Sequence, residues 1–215
     1  PYTPALRAVR RALDARGISV ALSGPDWTDL PLFDSTKIDF DPHISAYDIH
    51  SYQGIDSAKQ HRLGAWVRWA RAHEKPMFLS EIGDMSLGWR DTNAGPKTFA
   101  AALSNAESIL RGLDAGVSAF NRWSFTNRGD LDGQWQLVRT WDIQQKRYLD
   151  NVTIEPAAYY GYGIITRFWI PGGTVLVTDA VADTLILAQA LRDAEGEVTI
   201  YIVNKGRSAS AVTVM

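Results

Sequence analysis

The chain contains no cysteine. That excludes disulfides and thiolate zinc sites, although it does not choose a compartment, since many secreted bacterial proteins also lack cysteine. It has no apolar run long enough to span a bilayer and no signal-peptide pattern. It has little net charge: 22 Lys and Arg against 24 Asp and Glu leave −2. That balance gives no electrostatic case for nucleic acid or an anionic membrane as partner. Arg7, Arg10, Arg11, Arg68 and Arg71 read as solvated helix faces. The histidines, His43, His50, His61 and His73, show neither HExxH nor any other metal-ligand spacing, so no metal site is expected. Asn151-Val152-Thr153 is a formal glycosylation sequon of a kind that chance often supplies.

What the 215 residues do hold is apolar and aromatic: 46% hydrophobic, with eight Trp, eight Tyr and seven Phe. That is enough for one large domain, or one plus a small one. Trp27, Trp89 and Trp135 stand in polar, Gly-containing loops. Such aromatics stack on sugar rings or cap a core from its rim.

The periodicity alternates strand and helix. Pro4 to Arg16 is helical, with Leu6, Val9 and Leu13 on one face. Ile18 to Ser23 is a short strand, left by Gly24-Pro25-Asp26-Trp27 as a loop. Asp34 to Pro42 is irregular, and Ile44 to Tyr52 is a strand. Ser57 to His73 is helical, with Leu63, Val67 and Ala70 inward. Pro76 to Ile82 is a strand, Asp84 to Gly95 a polar loop, Pro96 to Leu113 a helix. Val117 to Phe125 is a strand, followed by a Gly- and Asp-rich loop over Thr126 to Trp135. Four strand-loop-helix units in sequence predict a parallel α/β architecture, half of a (β/α)8 barrel. After Pro156 the pattern changes. Ala157 to Phe168 reads as a helix with Tyr160, Ile164 and Phe168 on one face. Short runs follow at Thr174 to Thr178, Thr184 to Arg192, Val198 to Val203 and Ala211 to Val214, with hairpin-like turns between them. They predict a partial antiparallel β-sandwich. The expected division is residues 1–156 for the half barrel and 157–215 for the last helix and β module. Both ends are expected to be cut: a strand is missing before the first helix, and the last strand is interrupted.

Glu81 is the most informative residue. It lies in Met77-Phe78-Leu79-Ser80-Glu81-Ile82-Gly83, a run too short for a typical helix. The run reads as a buried parallel strand delivering a carboxylate to a rim. A buried charge is costly unless it is paired or used. The alternative is a structural Glu bonded to an Arg. His50 and Tyr52 end another strand and share a face, two residues apart. Asn121 and Trp123 end a third. These groups follow the C-terminal ends of strands, where a (β/α)8 barrel keeps its active site.

Four passages resemble clan A glycoside hydrolases, most closely family 30, with families 5 and 39 behind. Ser80-Glu81-Ile82-Gly83 resembles the seventh-strand motif that carries the catalytic nucleophile. Asp48-Ile49-His50-Ser51-Tyr52 resembles the sixth-strand end, where a His and a Tyr contact the first sugar subsite and the nucleophile. Arg122-Trp123-Ser124 resembles the eighth-strand end, where a Trp floors that subsite. Tyr159-Tyr160-Gly161-Tyr162-Gly163 through Ile170-Pro171-Gly172 resembles the family 30 passage into its side β-sandwich. The resemblance implies a retaining hydrolase of β-linked oligo- or polysaccharides, with Glu81 as nucleophile assisted by Tyr52 and His50. Trp123, Asp26, Trp27, Trp89, Asn121 and Trp135 would contact sugar. It implies no cofactor and a secreted or periplasmic setting. The clan's acid/base Glu lies in an Asn-Glu pair, and no such pair occurs here. The partner that completes the site is then expected to be a missing N-terminal half barrel or a second copy of the chain. The rival reading is a non-catalytic carbohydrate-binding or degenerate glycosidase-like domain.

Overall fold

The computed structural model describes residues 2–83, 98–126, 136–142, 145–178 and 185–214. Four strands, β1 (Ser23–Trp27), β2 (Ala46–Ser51), β3 (Met77–Ile82) and β4 (Ala119–Arg122), form one sheet in the order β1-β2-β3-β4. Each neighbouring pair is parallel. Helices α1 (Tyr2–Asp14), α2 (Ser57–Ala72), α3 (Phe99–Ala115) and α4 (Pro156–Arg167) accompany the sheet. The α2 face is the expected one: Leu63, Val67 and Ala70 are fully buried. Asp56 caps α2 by accepting from the Lys59 N–H at 2.8 Å, and Thr98 caps α3. Gly116 ends α3 with φ 96°, a left-handed conformation that favours glycine.

The sheet and helices enclose an aromatic-rich core. Trp66 lies at its centre, with Trp27, Phe33 and Tyr47 packed around it. α3 approaches β4 closely at Gly112, where an added Cβ would lie 2.6 Å from Phe120 Cε1. Gly112→Ala is therefore expected to destabilise the fold by about 1–3 kcal/mol, the usual cost of overpacking. A lower urea midpoint at unchanged slope would show it.

At the opposite side of the core, the Tyr47 hydroxyl donates to Asp41 and accepts from Trp69 Nε1. Lys75 Nζ lies 2.8 Å from Asp41 Oδ2. Burial pushes the Asp41 carboxyl up, but the Lys75 and Tyr47 bonds and the Lys75 charge outweigh it and hold the carboxyl below its ordinary range. A depressed carboxyl contributes stability that is present above its unfolded pKa, about 4, and lost as pH falls through its folded value. Asp41→Asn should cost about 1–3 kcal/mol at neutral pH. The gap to wild type should close on acidification, as followed by thermal unfolding from pH 7 to pH 3.

The rest is antiparallel. β5 (Val138–Asp142) pairs with β6 (Arg147–Ile154). β7 (Thr174–Leu176), β8 (Ile186–Arg192) and β9 (Val198–Asn204) form a second sheet in that order. That sheet shares the main core: Ile165, Leu191 and Tyr201 join the cluster containing Leu63 and Leu79. The Tyr201 hydroxyl donates to the Ile165 carbonyl at 3.2 Å. The core is thus continuous across the division expected at 156/157.

Several expectations are corrected. Ile18 to Ser23 is not the first strand, which begins at Ser23. The carbonyls of Ile18 and Val20 are taken by the Arg10 guanidinium, at 3.0 and 2.8 Å, which replaces a strand partner. The hairpin β5-β6 had not been expected. Ala211 to Val214 forms no strand. On α1, Val9 is exposed. On α4, the face with Tyr160, Ile164 and Phe168 is exposed, while Ala158 and Ile165 are buried.

Candidate active site

The inner face of the parallel sheet carries polar side chains at its C-terminal end, and three register shifts place them there. In β1, Pro25 pairs with Asp48 and Trp27 with Ile49, so Asp26 is the extra residue between them. Its φ of 61° is left-handed, a region that Asp tolerates better than most residues. In β3, Leu79 pairs with Ile49 and Glu81 with His50, so Ser80 is the extra residue. Met77 and Leu79 are buried toward the helices, and simple alternation would send Glu81 the same way. The bulge reverses this and sets Glu81 beside His50, while Ile82 takes the core position. A third shift lies between Leu79 and Ile82 in the pairing with β4.

The outcome is a bridged pair of carboxylates. His50 Nε2 lies 2.6 Å from Asp26 Oδ1. His50 Nδ1 lies 3.3 Å from Glu81 Oε2. The Tyr52 ring stands edge-on to His50, with centroids 5.7 Å apart. Asp48, buried two residues before His50 on the same strand, accepts from Ser23 Oγ at 3.1 Å. Among the described residues its Oδ1 has no partner, nor has the buried Ser80 Oγ. Burial pushes the Glu81 carboxyl above its ordinary range; His50 pulls it down, and Asp26 and Asp48 push it up again. Tyr2 reaches this end from α1. A Cβ on Gly24 would lie 1.9 Å from its hydroxyl, and burial, then Asp26 and Asp48, raise its pKa.

Beyond β4, the Trp123 N–H donates to the Ile82 carbonyl at 3.0 Å, and the Trp123-Ser124 peptide is cis. Arg122 sits close to Gly83, where an added Cβ would lie 3.0 Å from its Nη1. Asn121 is exposed on β4.

The structure thus brings Asp26, His50 and Glu81 into contact, with Tyr52 against His50. It places Trp27 elsewhere: the ring packs edge-on against Phe40 and Trp66, at 5.8 and 5.0 Å, as part of the core. Trp89 and Trp135 lie outside the described residues, as do Arg90, Arg128 and Asp130. Sequence reasoning quoted Asp48 only within a motif; its two-residue spacing from His50 was the available signal. Nothing in the sequence signalled Tyr2. Among the described residues no cluster of His, Cys, Asp or Glu is suited to hold a metal ion, and no helix is long and apolar enough to cross a membrane.

No protein-family profile matches the chain, and no curated protein is similar to it in sequence. Its fold is nevertheless like that of solved glycoside hydrolases. One is a 4-O-α-L-rhamnosyl-β-D-glucuronidase from Fusarium oxysporum: TM-score 0.64 at 13% identity, covering 98% of this chain and 46% of that one. Another is an endo-β-1,6-glucanase: TM-score 0.62 at 14% identity, covering 93% and 45%. A third is a family 30 endoxylanase from Clostridium papyrosolvens: TM-score 0.57 at 14% identity, covering 90% and 43%. The chain spans under half the length of each. At these identities the likeness establishes the fold. It is the expected one: half of a (β/α)8 barrel followed by an antiparallel β module.

Proposed function

We propose that the chain is the part of a retaining β-glycoside hydrolase that carries the nucleophile, Glu81. The observation that supports this most is the Glu81 carboxylate on the inner rim, set beside His50 by the β3 bulge with Oε2 3.3 Å from His50 Nδ1. In this reading a Glu81 oxygen bonds to the anomeric carbon of a β-linked sugar while the glycosidic C–O bond breaks. The leaving oxygen takes a proton from a second carboxyl group. Water then displaces Glu81 and restores it. Tyr52 would donate to the carboxylate, Trp123 would offer its plane to the pyranose, and Asn121 would bond sugar hydroxyls.

The second carboxyl group is the missing part. Of the other glutamates, Glu107 lies on α3 paired with Arg111 and Lys205, and Glu155 precedes α4 near Gln136. Glu74 follows α2, while Glu195 and Glu197 lie between β8 and β9. The acid/base is therefore assigned to further barrel strands, from an N-terminal half or a second copy of the chain. The substrates would be oligo- or polysaccharides met in a secreted or periplasmic setting. Without a second acid the same face would bind sugar and not cleave it.

The test is the anomer first released from an aryl β-glycoside by the longest available form of the protein, followed by proton NMR. Fresh β-anomer supports a covalent intermediate. Fresh α-anomer excludes one.

A further inference from the structure

We infer that Trp141 and Tyr148, on the β5-β6 hairpin, form a stacking platform for a sugar unit of the substrate beyond the cleaved bond; the inference rests on the reading of the parallel-sheet rim as a β-glycoside-cleaving site. The Leu137 N–H donates to the Ser124 carbonyl at 3.0 Å, and the Val138 N–H donates to the Phe125 carbonyl at 2.8 Å. Val138 also bridges Thr126 in parallel. Residues 124–126 follow the C-terminal end of β4, so β5 starts at the rim that carries Glu81 and leaves it in the direction of that segment. Trp141 lies three residues further out, about 10 Å at the rise of a strand. The base of the hairpin is anchored. Leu137 and Val138 are buried with Ala158, and the Glu155 N–H donates to the Leu137 carbonyl at 2.9 Å. The outer strand is open: every residue of β6 except Leu149 is exposed.

Trp141 and Tyr148 pair across the two strands and so share a face. Their rings meet edge-on, with centroids 4.9 Å apart and planes at 83°. Tyr148 is nonetheless 69% exposed, so Trp141 leaves most of its ring to solvent. Cross-strand packing accounts for the edge contact but not for the open ring plane. The surface beside the rings is polar. The Gln145 N–H donates to Asp142 Oδ1 at 3.0 Å, and Arg147 Nε donates to Gln145 Oε1 at 2.7 Å. Arg147 Nη1 lies 3.2 Å from Asp150 Oδ2. An aromatic plane beside charged and amide groups suits a pyranose, which offers C–H bonds from its faces and hydroxyls from its edge. A protein partner is the poorer fit, because the core of a protein interface is depleted of charge. A sugar held on the hairpin lies beyond the unit bonded to Glu81, so the platform selects long substrates over short ones.

The test is calorimetric titration of the longest available form with β-linked gluco- and xylo-oligosaccharides of two and of six units. The six-unit sugar should bind wild type more tightly than the two-unit sugar. Tyr148→Phe keeps the ring and should retain the ratio of the two affinities. Tyr148→Leu keeps an apolar contact for Trp141 but not the plane. It should lower that ratio about 3- to 10-fold, the size of one aromatic contact. A second readout does not depend on how Tyr148→Leu folds. The Tyr148 ring protons of wild type, assigned by their loss in Tyr148→Leu, should shift in NMR when the six-unit sugar is added. Equal ratios in wild type and Tyr148→Leu, or ring signals that ignore the six-unit sugar, would overturn the proposal. Labelling of Glu81 in wild type by a 2-fluoro glycoside separates the two readings. Label without any length preference overturns the platform alone. No label, with the Tyr148 effects intact, overturns the nucleophile alone and leaves a sugar-binding hairpin.

Discussion

Glu81→Gln is expected to lower hydrolysis of an activated β-glycoside by at least about 10³-fold, as loss of a covalent nucleophile does in other enzymes. The measurement belongs on the longest form that shows turnover. The same substitution should not harm the fold. Burial, and after it Asp26 and Asp48, raise the Glu81 carboxyl above its ordinary range against the pull of His50, so ionising it costs more in the folded chain than in the unfolded one. For a raised carboxyl, the stabilising contribution is fully present below the unfolded pKa, about 4, and is lost as pH rises through the folded value. The neutral amide avoids that loss. Glu81→Gln should therefore be at least as stable as wild type at neutral pH. The difference should shrink toward pH 4, as followed by thermal unfolding. Less stability at neutral pH would mean that Glu81 is a structural ion-pair partner.

Trp66→Ala should produce the largest loss of stability among single core substitutions, about 3–5 kcal/mol. Against a typical total of about 5–15 kcal/mol, that would leave the chain partly unfolded at ordinary temperature. Trp66 is 2% exposed, and its Nε1 donates to the Pro31 carbonyl at 3.0 Å. Trp27 and Phe33 meet it edge-on at 5.0 and 5.1 Å, and Tyr47 lies at 6.2 Å. Removing the indole therefore opens a cavity and leaves that carbonyl without its donor. Leu32→Ala is the control: Leu32 is 74% exposed, and a change within about 0.5 kcal/mol is expected. Urea unfolding of the two variants separates the cases.

The same cluster explains why aromatic residues were hard to read. Trp27 stands among Gly, Pro and Asp, as a rim aromatic would, yet its ring joins Phe40 and Trp66 in the core. Local polarity describes the chain neighbours of a side chain and not the element it meets across the fold. Three of the four parallel strands, β2, β3 and β4, were legible because each falls in a short apolar run bounded by turns, and the buried stripe of α2 followed from simple helical spacing; β1 was not, since Gly24-Pro25-Asp26-Trp27 reads as a loop. The start of β1 was not legible, because it depends on Arg10 reaching across to two carbonyls. Nor was the position of Asp26 beside His50. Bulges are set by pairing between strands, and the single-residue slips at Asp26 and Ser80 decide which carboxylates face His50. The Glu81 strand was readable from its sequence, but its alternation points the acid the wrong way; only the register with β2 corrects it. The exposed face of α4 failed for a related reason. Apolar spacing marks a face able to bury, and the packing of α4 on α3 chose the side with Ala158 and Ile165 instead.

The most direct test of Glu81 as nucleophile is a covalent label. The longest available form would be incubated with 2-fluoro β-glycosides carrying a good leaving group, then weighed intact and mapped by peptide digestion. A mass gain of one glycosyl unit, located on Glu81 and absent from Glu81→Gln, is the predicted result. A label on another carboxylate, or none from any sugar on a form that binds oligosaccharide, would contradict the account and leave a carbohydrate-binding face in its place.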